Sequence, residues 1–202
     1  MSASLVGSEM CIRDSYYTLY QQRNTELWIE YGEGKITKDE LNCQRFFYPL
    51  QAVGVEDEAL AEQFSKDFFA IIPTKSTLMP HAKEVLEYLA PKYNLYILSN
   101  GFRELQSRKM RSAGVDGYFK KVILSEDLGV LKPWPAIFNF ALSATQSELR
   151  ESLMIGDSWE ADITGAHGVG MHQAFYNVTE RTTFPFLPTY HIHSLKELMD
   201  LL

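Results

Sequence analysis

Residues 94–101 read NLYILSNG, a short apolar run that ends in three small or polar residues. A run of this length between turn-forming residues is typical of a buried β-strand. A helical pattern follows over residues 103–113 and ends at Gly114, and glycine is a common helix stop. The stretch therefore predicts a strand, a turn and a helix in succession, as in one unit of a parallel sheet.

The same alternation continues to the end of the chain. We predict further strands at residues 122–124, 153–155 and 173–176, and further helices at residues 80–89, 135–144, 160–167 and 195–202. Strands that alternate with helices imply an α/β fold, with a doubly wound (Rossmann-like) parallel sheet covered by helices on both faces.

Residues 16–78 show a different pattern, because helical periodicity recurs there without an intervening strand. Thr37 and Glu40 have the spacing of a capping box, which marks the start of a helix. We therefore predict a helical module over residues 16–78 and an α/β core over residues 79–202.

Composition limits the classes of function. The 202 residues carry 19 Lys and Arg against 26 Asp and Glu, a net charge of −7. Binding to nucleic acid polymers relies on many basic contacts to phosphate, so an acidic chain favours a small anionic substrate instead. No run approaches the roughly 20 apolar residues of a membrane helix, and the start has no signal-peptide pattern. The two cysteines form neither a CxxC pair nor a cluster with His, so we expect a reduced, cytoplasmic protein.

Polar residues stand where two predicted strands lead into loops, the edge at which parallel sheets bind ligands. Ser99, Asn100 and Gly101 can hold a phosphate through a hydroxyl and backbone N–H groups. The same three residues also suit an ordinary turn. Lys132 precedes a proline-started helix, where its ammonium can neutralise a phosphoryl oxygen or remain a solvated charge.

Two carboxylates follow the strand predicted at residues 153–155. Asp157 stands directly at the strand end and Asp162 on the first turn of the next helix. Such a pair can bind a hard cation such as Mg²⁺. Alternatively, Asp157 can cap the helix and Asp162 can interact with the helix dipole.

In their order and spacing, these residues carry a resemblance. The segments SNGF, LKPWPAIF and MIGDSWEADITGA, at residues 99–102, 131–138 and 154–166, resemble the second, third and fourth motifs of the haloacid dehalogenase superfamily, in its phosphatase branch. The resemblance covers residues 79–176. Residues 19–41 further resemble the pyrimidine 5′-nucleotidase branch, which hydrolyses nucleoside monophosphates.

The resemblance implies an Mg²⁺-dependent phosphomonoesterase that forms an aspartyl-phosphate. Ser99 would hydrogen-bond the transferring phosphoryl group, and Asn100 with Gly101 would help to position it. Lys132 would stabilise charge between the nucleophile and the phosphate. Asp157 would be a direct Mg²⁺ ligand and Asp162 a second one. Residues 16–78 would form the cap that selects the substrate, a small phosphorylated molecule such as a nucleoside monophosphate.

The first motif of the family, Asp-x-Asp-x-Thr after an apolar strand, is missing. Asp14 is only a weak candidate for the nucleophile, because Tyr16 stands where the acid/base Asp belongs and a neutral phenol is a poor base. Residues 3–14 also resemble a translated sequencing adapter. We therefore expect residues 1–15 to be a non-native start, the first core strand to be missing and the chain as printed to be poorly folded and inactive.

Several alternatives remain open at this point. A 2-haloacid dehalogenase has the same fold but needs no Mg²⁺, a non-catalytic protein could bind phosphate or metal, and a response-regulator receiver also combines acidic residues with a Lys. His191 and His193 could form a metal pair, although surface residues are the simpler interpretation. Four aromatic residues could stack on a nucleobase or form a helical core: Trp28, Tyr31, Phe46 and Phe47.

Overall fold

The computed structural model describes the backbone of residues 3–202 and the side chains from Asp14 onward. The chain divides into two compact units, one ending at Ile72 and the other spanning Pro73–Leu202. This division lies six residues before the limit of 78 suggested by the sequence pattern. None of the described helices is long and apolar enough to cross a membrane.

The first unit consists of three helices, as the sequence pattern predicts. They are α1 (Ala3–Gly32), α2 (Lys38–Ala52) and α3 (Glu58–Ile71). Helix α1 begins well before residue 16, so the limit proposed at residue 15 lies inside a continuous helix. Leu27 of α1 and Leu41 of α2 are fully buried, and Phe46, Leu50 and Ala61 form a further apolar cluster between α2 and α3.

The predicted capping box at the start of α2 is confirmed. The Thr37 hydroxyl accepts a hydrogen bond from the Glu40 N–H at 3.2 Å, and the Glu40 carboxylate accepts one from the Thr37 N–H at 2.7 Å. The bonds that Thr37 donates lower the pKa of the Glu40 carboxyl. Their stabilising effect is therefore present above the ordinary pKa of a Glu and is lost as the pH falls through the lowered value.

The second unit alternates strands and helices. Its elements are α4 (Ala82–Leu89), β1 (Tyr96–Ser99), α5 (Arg103–Ser112), β2 (Lys121–Leu124), α6 (Pro135–Thr145), β3 (Leu153–Gly156), α7 (Thr164–Gly168), β4 (His172–Tyr176), β5 (Tyr190–Ile192) and α8 (Leu198–Leu201). Strand β5 is absent from the sequence prediction, because three residues with a central His carry no strand pattern. The helix predicted from Pro80 begins only at Ala82, after His81 in a left-handed conformation.

The strands are parallel and form two separate groups. One sheet has the order β1-β2 and the other the order β3-β4-β5. Within the described residues, β1 therefore has a free edge on the side away from β2, and β3 has one on the side away from β4. All residues of β1 and β3 are only half-buried, whereas the middle of β4 is buried. Inner strands of a doubly wound sheet are normally buried on both faces.

Helices cover both faces of the larger sheet, as predicted. Leu153 and Ile155 of β3 pack with Val85 of α4, whereas Met154 packs with Phe138 of α6. Successive side chains of a strand point to opposite faces, so these two clusters lie on opposite sides of β3. The α/β class predicted from the sequence is confirmed.

Replacing Thr37 tests the cap. Thr37→Ala removes the oxygen that accepts the Glu40 N–H, and we expect the free energy of unfolding of the helical unit to fall by about 1 kcal/mol. Thr37→Ser keeps that oxygen and serves as the control. Urea unfolding followed by circular dichroism at pH 7 compares the three proteins. An equal loss in both variants would show that the methyl group, not the hydrogen bond, stabilises this helix start.

Candidate active site

The Ser99 hydroxyl lies at the carboxyl end of β1. Its oxygen accepts hydrogen bonds from the Gly101 N–H at 3.0 Å and from Nε2 of Gln106 at 2.6 Å. Since a hydroxyl oxygen has two acceptor positions and one proton to donate, these two bonds leave the Ser99 O–H available as a donor. A donor directed by two fixed neighbours suits an anionic ligand. Gln106 was missed from the sequence, because its contact depends on the turn that brings α5 back onto the strand end.

The Asn100 side chain ties this strand end to the loop before α6. Its Nδ2 donates to the Lys132 carbonyl oxygen at 3.1 Å, and its Oδ1 accepts from the Lys132 N–H at 2.8 Å. The amide thus holds both backbone groups of a residue 32 positions away. The sequence suggests a role mainly for the Asn100 backbone N–H, and the structure adds this positioning role for its side chain.

The Lys132 ammonium lies between a strand edge and a carboxylate. Nζ donates to the Leu98 carbonyl oxygen at 2.8 Å and to Oδ1 of Asp162 at 2.6 Å. The Leu95 carbonyl accepts from the Lys120 N–H, on the β2 side. Because successive carbonyls of a strand point in alternate directions, the Leu98 carbonyl three residues later points to the free edge of β1. Lys132 therefore places its charge at that open edge.

The Asp162 carboxylate is buried and held on both oxygens. Its side chain is 7 % exposed and that of Lys132 is 10 % exposed. While Oδ1 accepts from Lys132, Oδ2 accepts from the Ser158 N–H at 3.2 Å. A Cβ atom on Gly156 would come within 2.3 Å of the same Oδ2. A glycine at the end of β3 is therefore required for this carboxylate to approach the strand.

A π-helical turn at Trp159–Ile163 joins β3 to α7, where the sequence predicts an ordinary helix start. Wide turns of this kind are rare and are frequent at functional sites. Ser158 caps the turn by accepting the Ala161 N–H at 3.1 Å, so the cap is Ser158 and not Asp157. The extra residue of the turn places Asp162 over Gly156.

Asp157 differs from Asp162 in its surroundings. Its side chain is exposed, and within residues 14–202 no hydrogen bond or ion pair engages its carboxylate. Carboxylate oxygens are suitable ligands for a hard cation such as Mg²⁺. Asp157 therefore fits the role of a direct ligand, whereas both oxygens of Asp162 already have partners. No cluster of three His, Cys, Asp or Glu side chains suited to a metal occurs among the described residues.

Aromatic side chains clamp the turn that carries both carboxylates. Trp159 is 4 % exposed, and its ring lies 5.0–5.1 Å from those of Phe175, Phe184 and Phe186. The Arg181 guanidinium lies 5.0 Å from the Trp159 ring and donates to the neighbouring Glu160 at 2.6 Å. The segment after β4 is thereby attached to the carboxylate turn. Trp159 therefore packs in the interior of the second unit.

Asp14 lies in a different setting from these residues. It is exposed within helix α1 of the first unit, not at the end of a strand. Burial, with a smaller contribution from Tyr20, raises the pKa of Tyr16 to about 12. The Tyr16 phenol is therefore neutral at pH 7 and is a poor general base.

The histidine pair and the aromatic residues singled out in the sequence lie in different surroundings. His191 and His193 are exposed on one face of the chain with their rings 4.7 Å apart, and His191 pairs with the Asn177 side chain. Phe46 is buried and stacks on Tyr20. Trp28 remains half-buried.

Comparison with known proteins identifies the family of this chain. The family description of haloacid dehalogenase-like hydrolases matches residues 11–170. The chain belongs to this family. This chain is 34 % identical over 186 residues to the HAD-hydrolase YfnB of Bacillus subtilis. The match covers 91 % of this chain and 78 % of YfnB. This chain is also 33 % identical to the pyrimidine 5′-nucleotidase YjjG of Escherichia coli, covering 91 % of this chain and 80 % of YjjG.

Solved structures agree with the family assignment. A magnesium-bound crystal structure of YfnB, described as revealing interdomain movement, superposes with a TM-score of 0.81 at 32 % identity, over 92 % of this chain and 81 % of YfnB. The L-2-haloacid dehalogenase of Xanthobacter autotrophicus superposes with a TM-score of 0.75 at 20 % identity, over 92 % of this chain and 84 % of the dehalogenase. At 20 % identity, the similarity to the dehalogenase shows a shared fold and does not extend to its activity.

The Lys132–Asp162 pair makes a testable contribution to stability. Lys132→Met leaves the Asp162 carboxylate buried without a cation, and we expect the free energy of unfolding to fall by about 3–5 kcal/mol. Asp162→Leu leaves the Lys132 ammonium buried without an anion and should cost a similar amount. The double variant Lys132→Met/Asp162→Leu removes both charges and should recover most of the loss. Urea unfolding followed by tryptophan fluorescence measures all four proteins. Additive losses in the double variant would contradict a direct pair.

Proposed function

We propose that this chain carries the phosphate-binding face of an Mg²⁺-dependent phosphomonoesterase that acts on nucleoside 5′-monophosphates. The observation that carries the proposal is the position of the Lys132 ammonium, 2.8 Å from the Leu98 carbonyl oxygen and 2.6 Å from Asp162. A buried cation at the open edge of β1 suits an anion that binds there. The nucleotide assignment rests on YjjG and on PynA of Streptococcus pneumoniae, both named pyrimidine 5′-nucleotidases.

Each site residue has a role in this proposal. The Ser99 O–H donates to a phosphoryl oxygen, because the acceptor positions of the Ser99 oxygen are already filled. The backbone N–H groups near Asn100 and Gly101 help to position the phosphoryl group. Lys132 neutralises its charge. Asp157 would hold Mg²⁺ directly and Asp162 through a water molecule, because both Asp162 oxygens already accept hydrogen bonds, and the cation would supply further charge neutralisation. The helices of residues 16–78 form a cap that selects the substrate.

The two carboxylates favour a phosphatase over a dehalogenase. Dehalogenases of this fold need no cation, so an exposed carboxylate such as Asp157 next to the buried Asp162 would have no task in that reaction. Dehalogenases are among the structural neighbours, at 20–26 % identity, which is below the identity of this chain to the two nucleotidases. The two nucleotidases are 33 % and 30 % identical to this chain over most of its length.

We further propose that the chain as printed binds its ligands without turning them over. An aspartyl-phosphate requires a carboxylate nucleophile at the site, and the sequence contains no Asp-x-Asp-x-Thr segment. Asp14, the weak candidate, is part of a helix in the other compact unit. The free edges of β1 and β3 are where the nucleophile-bearing strand of the family would pair.

Binding and turnover can be measured on the same protein. We expect calorimetry to detect binding of uridine 5′-monophosphate with Mg²⁺, while phosphate release stays at the level of a blank. Ser99→Ala should weaken nucleotide binding by roughly 10- to 100-fold, since it removes one hydrogen bond to a charged group. Ser107→Ala, on the exposed face of α5, is the matched control. Asp157→Asn should weaken Mg²⁺ binding more than it weakens nucleotide binding without Mg²⁺.

The alternatives give different results in this experiment. Mg²⁺-dependent phosphate release would keep the phosphatase assignment and refute the proposed inactivity. Chloride release from 2-chloropropionate without Mg²⁺ would indicate a dehalogenase. If the folded chain binds neither the nucleotide nor inorganic phosphate, the proposed site is wrong.

A further inference from the structure

Arg45 is a buried cation in the helical unit, and the proposed reaction does not use it. It lies on α2 and is 4 % exposed. Within the part of the chain whose side chains are described, its Nε and Nη2 atoms donate no hydrogen bond. Burial lowers the pKa of its guanidinium, and interactions with the Tyr20 phenol raise it. Arginine nevertheless stays charged in proteins, so Arg45 places a positive charge in the interior of the helical unit, away from water.

The two Arg45 nitrogens without hydrogen bonds to the described residues, Nε and Nη2, lie on the same side of the guanidinium. The Nε–H and one N–H of Nη2 lie along the same edge of the planar guanidinium, and this edge forms two parallel hydrogen bonds with a carboxylate or a phosphate. An unpaired buried charge is strongly unfavourable, whereas a hydrogen-bonded pair offsets much of that cost. The unused edge of Arg45 therefore matches the shape and charge of an oxoanion.

Two further buried polar atoms without a hydrogen-bond partner within residues 14–202 belong to helices α1 and α2. The Oδ1 atoms of Asn24 and Asn42 are buried and accept no hydrogen bond from the described residues. Asn24 stands four residues after Tyr20, which interacts with Arg45, and four before Trp28, whose ring lies 5.6 Å from the guanidinium. Asn42 is three residues before Arg45 on α2. Residues three or four apart share a helix face, so both amides face the guanidinium region.

The amides can serve an anion as well. Rotating an Asn amide by half a turn exchanges its oxygen for an NH₂ donor at nearly no change in shape. Asn24, Trp28 and Asn42 are each only half-buried, so the site lies just beneath the surface of the helical unit. A small ligand can reach Arg45 by displacing those side chains slightly.

We propose that Arg45, together with Asn24 and Asn42, forms a binding site for a small oxoanion, a carboxylate or a phosphate group, between helices α1 and α2. Arg45 contributes the two parallel donors along its free edge. The Asn side chains contribute the remaining hydrogen bonds, and the Trp28 ring supports the guanidinium from its face. The residues of this site all belong to the first unit, whereas Ser99 and Lys132 belong to the second.

The test follows the Arg45 side chain directly. The full chain, labelled with ¹⁵N, is titrated with sodium phosphate and separately with sodium acetate, with sodium chloride keeping the ionic strength constant. We expect one arginine Nε–H resonance to shift and reach saturation, and to be missing in Arg45→Met. The acetate and phosphate titrations show which oxoanion the site prefers. Repeating the phosphate titration in Lys132→Met separates this site from the one at Ser99.

Thermal unfolding gives a second measurement on the same variants. Because a ligand that binds only the folded chain raises its melting temperature, phosphate or acetate should stabilise the wild type more than Arg45→Met. Arg45→Lys keeps the charge but loses the two parallel donors, and its affinity should fall at least tenfold. Arg23→Met, which removes an arginine already paired with Glu26 and Glu30, should leave the affinity unchanged.

Two results would overturn the proposal. The first is an Arg45 resonance that does not move with either anion while the chain is folded. The second is equal stabilisation of the wild type, Arg45→Lys and Arg45→Met by the anions. In either case the Asn24 and Asn42 amides would be the internal partners of Arg45 in solution.

Discussion

The Lys132 ammonium is the contact on which the site in the second unit depends. It connects the free edge of β1, through the Leu98 carbonyl, with the Asp162 carboxylate that follows β3. Its backbone is in turn held by the Asn100 side chain at the end of β1. Three segments far apart in sequence therefore meet at one buried charge. Removing that charge would leave a carboxylate and a carbonyl without their donor, which is a larger loss than that of a surface ion pair.

Small residues make this arrangement possible at two further positions. Gly156 leaves room for the Asp162 carboxylate at the end of β3. Gly165 leaves room for the Phe138 ring, which a Cβ atom would approach within 2.4 Å. Phe138 is fully buried on α6, the helix that begins just after Lys132. The loop with the lysine and the turn with the carboxylates are thus packed against each other at close range.

The sequence predicts much of this fold, because the strands and helices of the second unit carry clear periodic patterns. It also indicates Ser99, Lys132, Asp157 and Asp162, since each follows a strand. It does not indicate Gln106, whose contact with Ser99 arises only after α5 folds back, nor strand β5, whose three residues pair with β4 because Ile192 is buried. The sequence also does not reveal the π-helical turn at Trp159–Ile163, because those residues are equally compatible with an α-helix.

The free edges of β1 and β3 have a consequence for the behaviour of the chain in solution. An unpaired parallel strand presents a row of backbone donors and acceptors that can pair with another polypeptide. The side chains of both strands are mostly apolar and only half-buried, so pairing would also remove apolar surface from water. Self-association through these edges, increasing with concentration, would therefore compete with folding of the individual chain during expression and refolding.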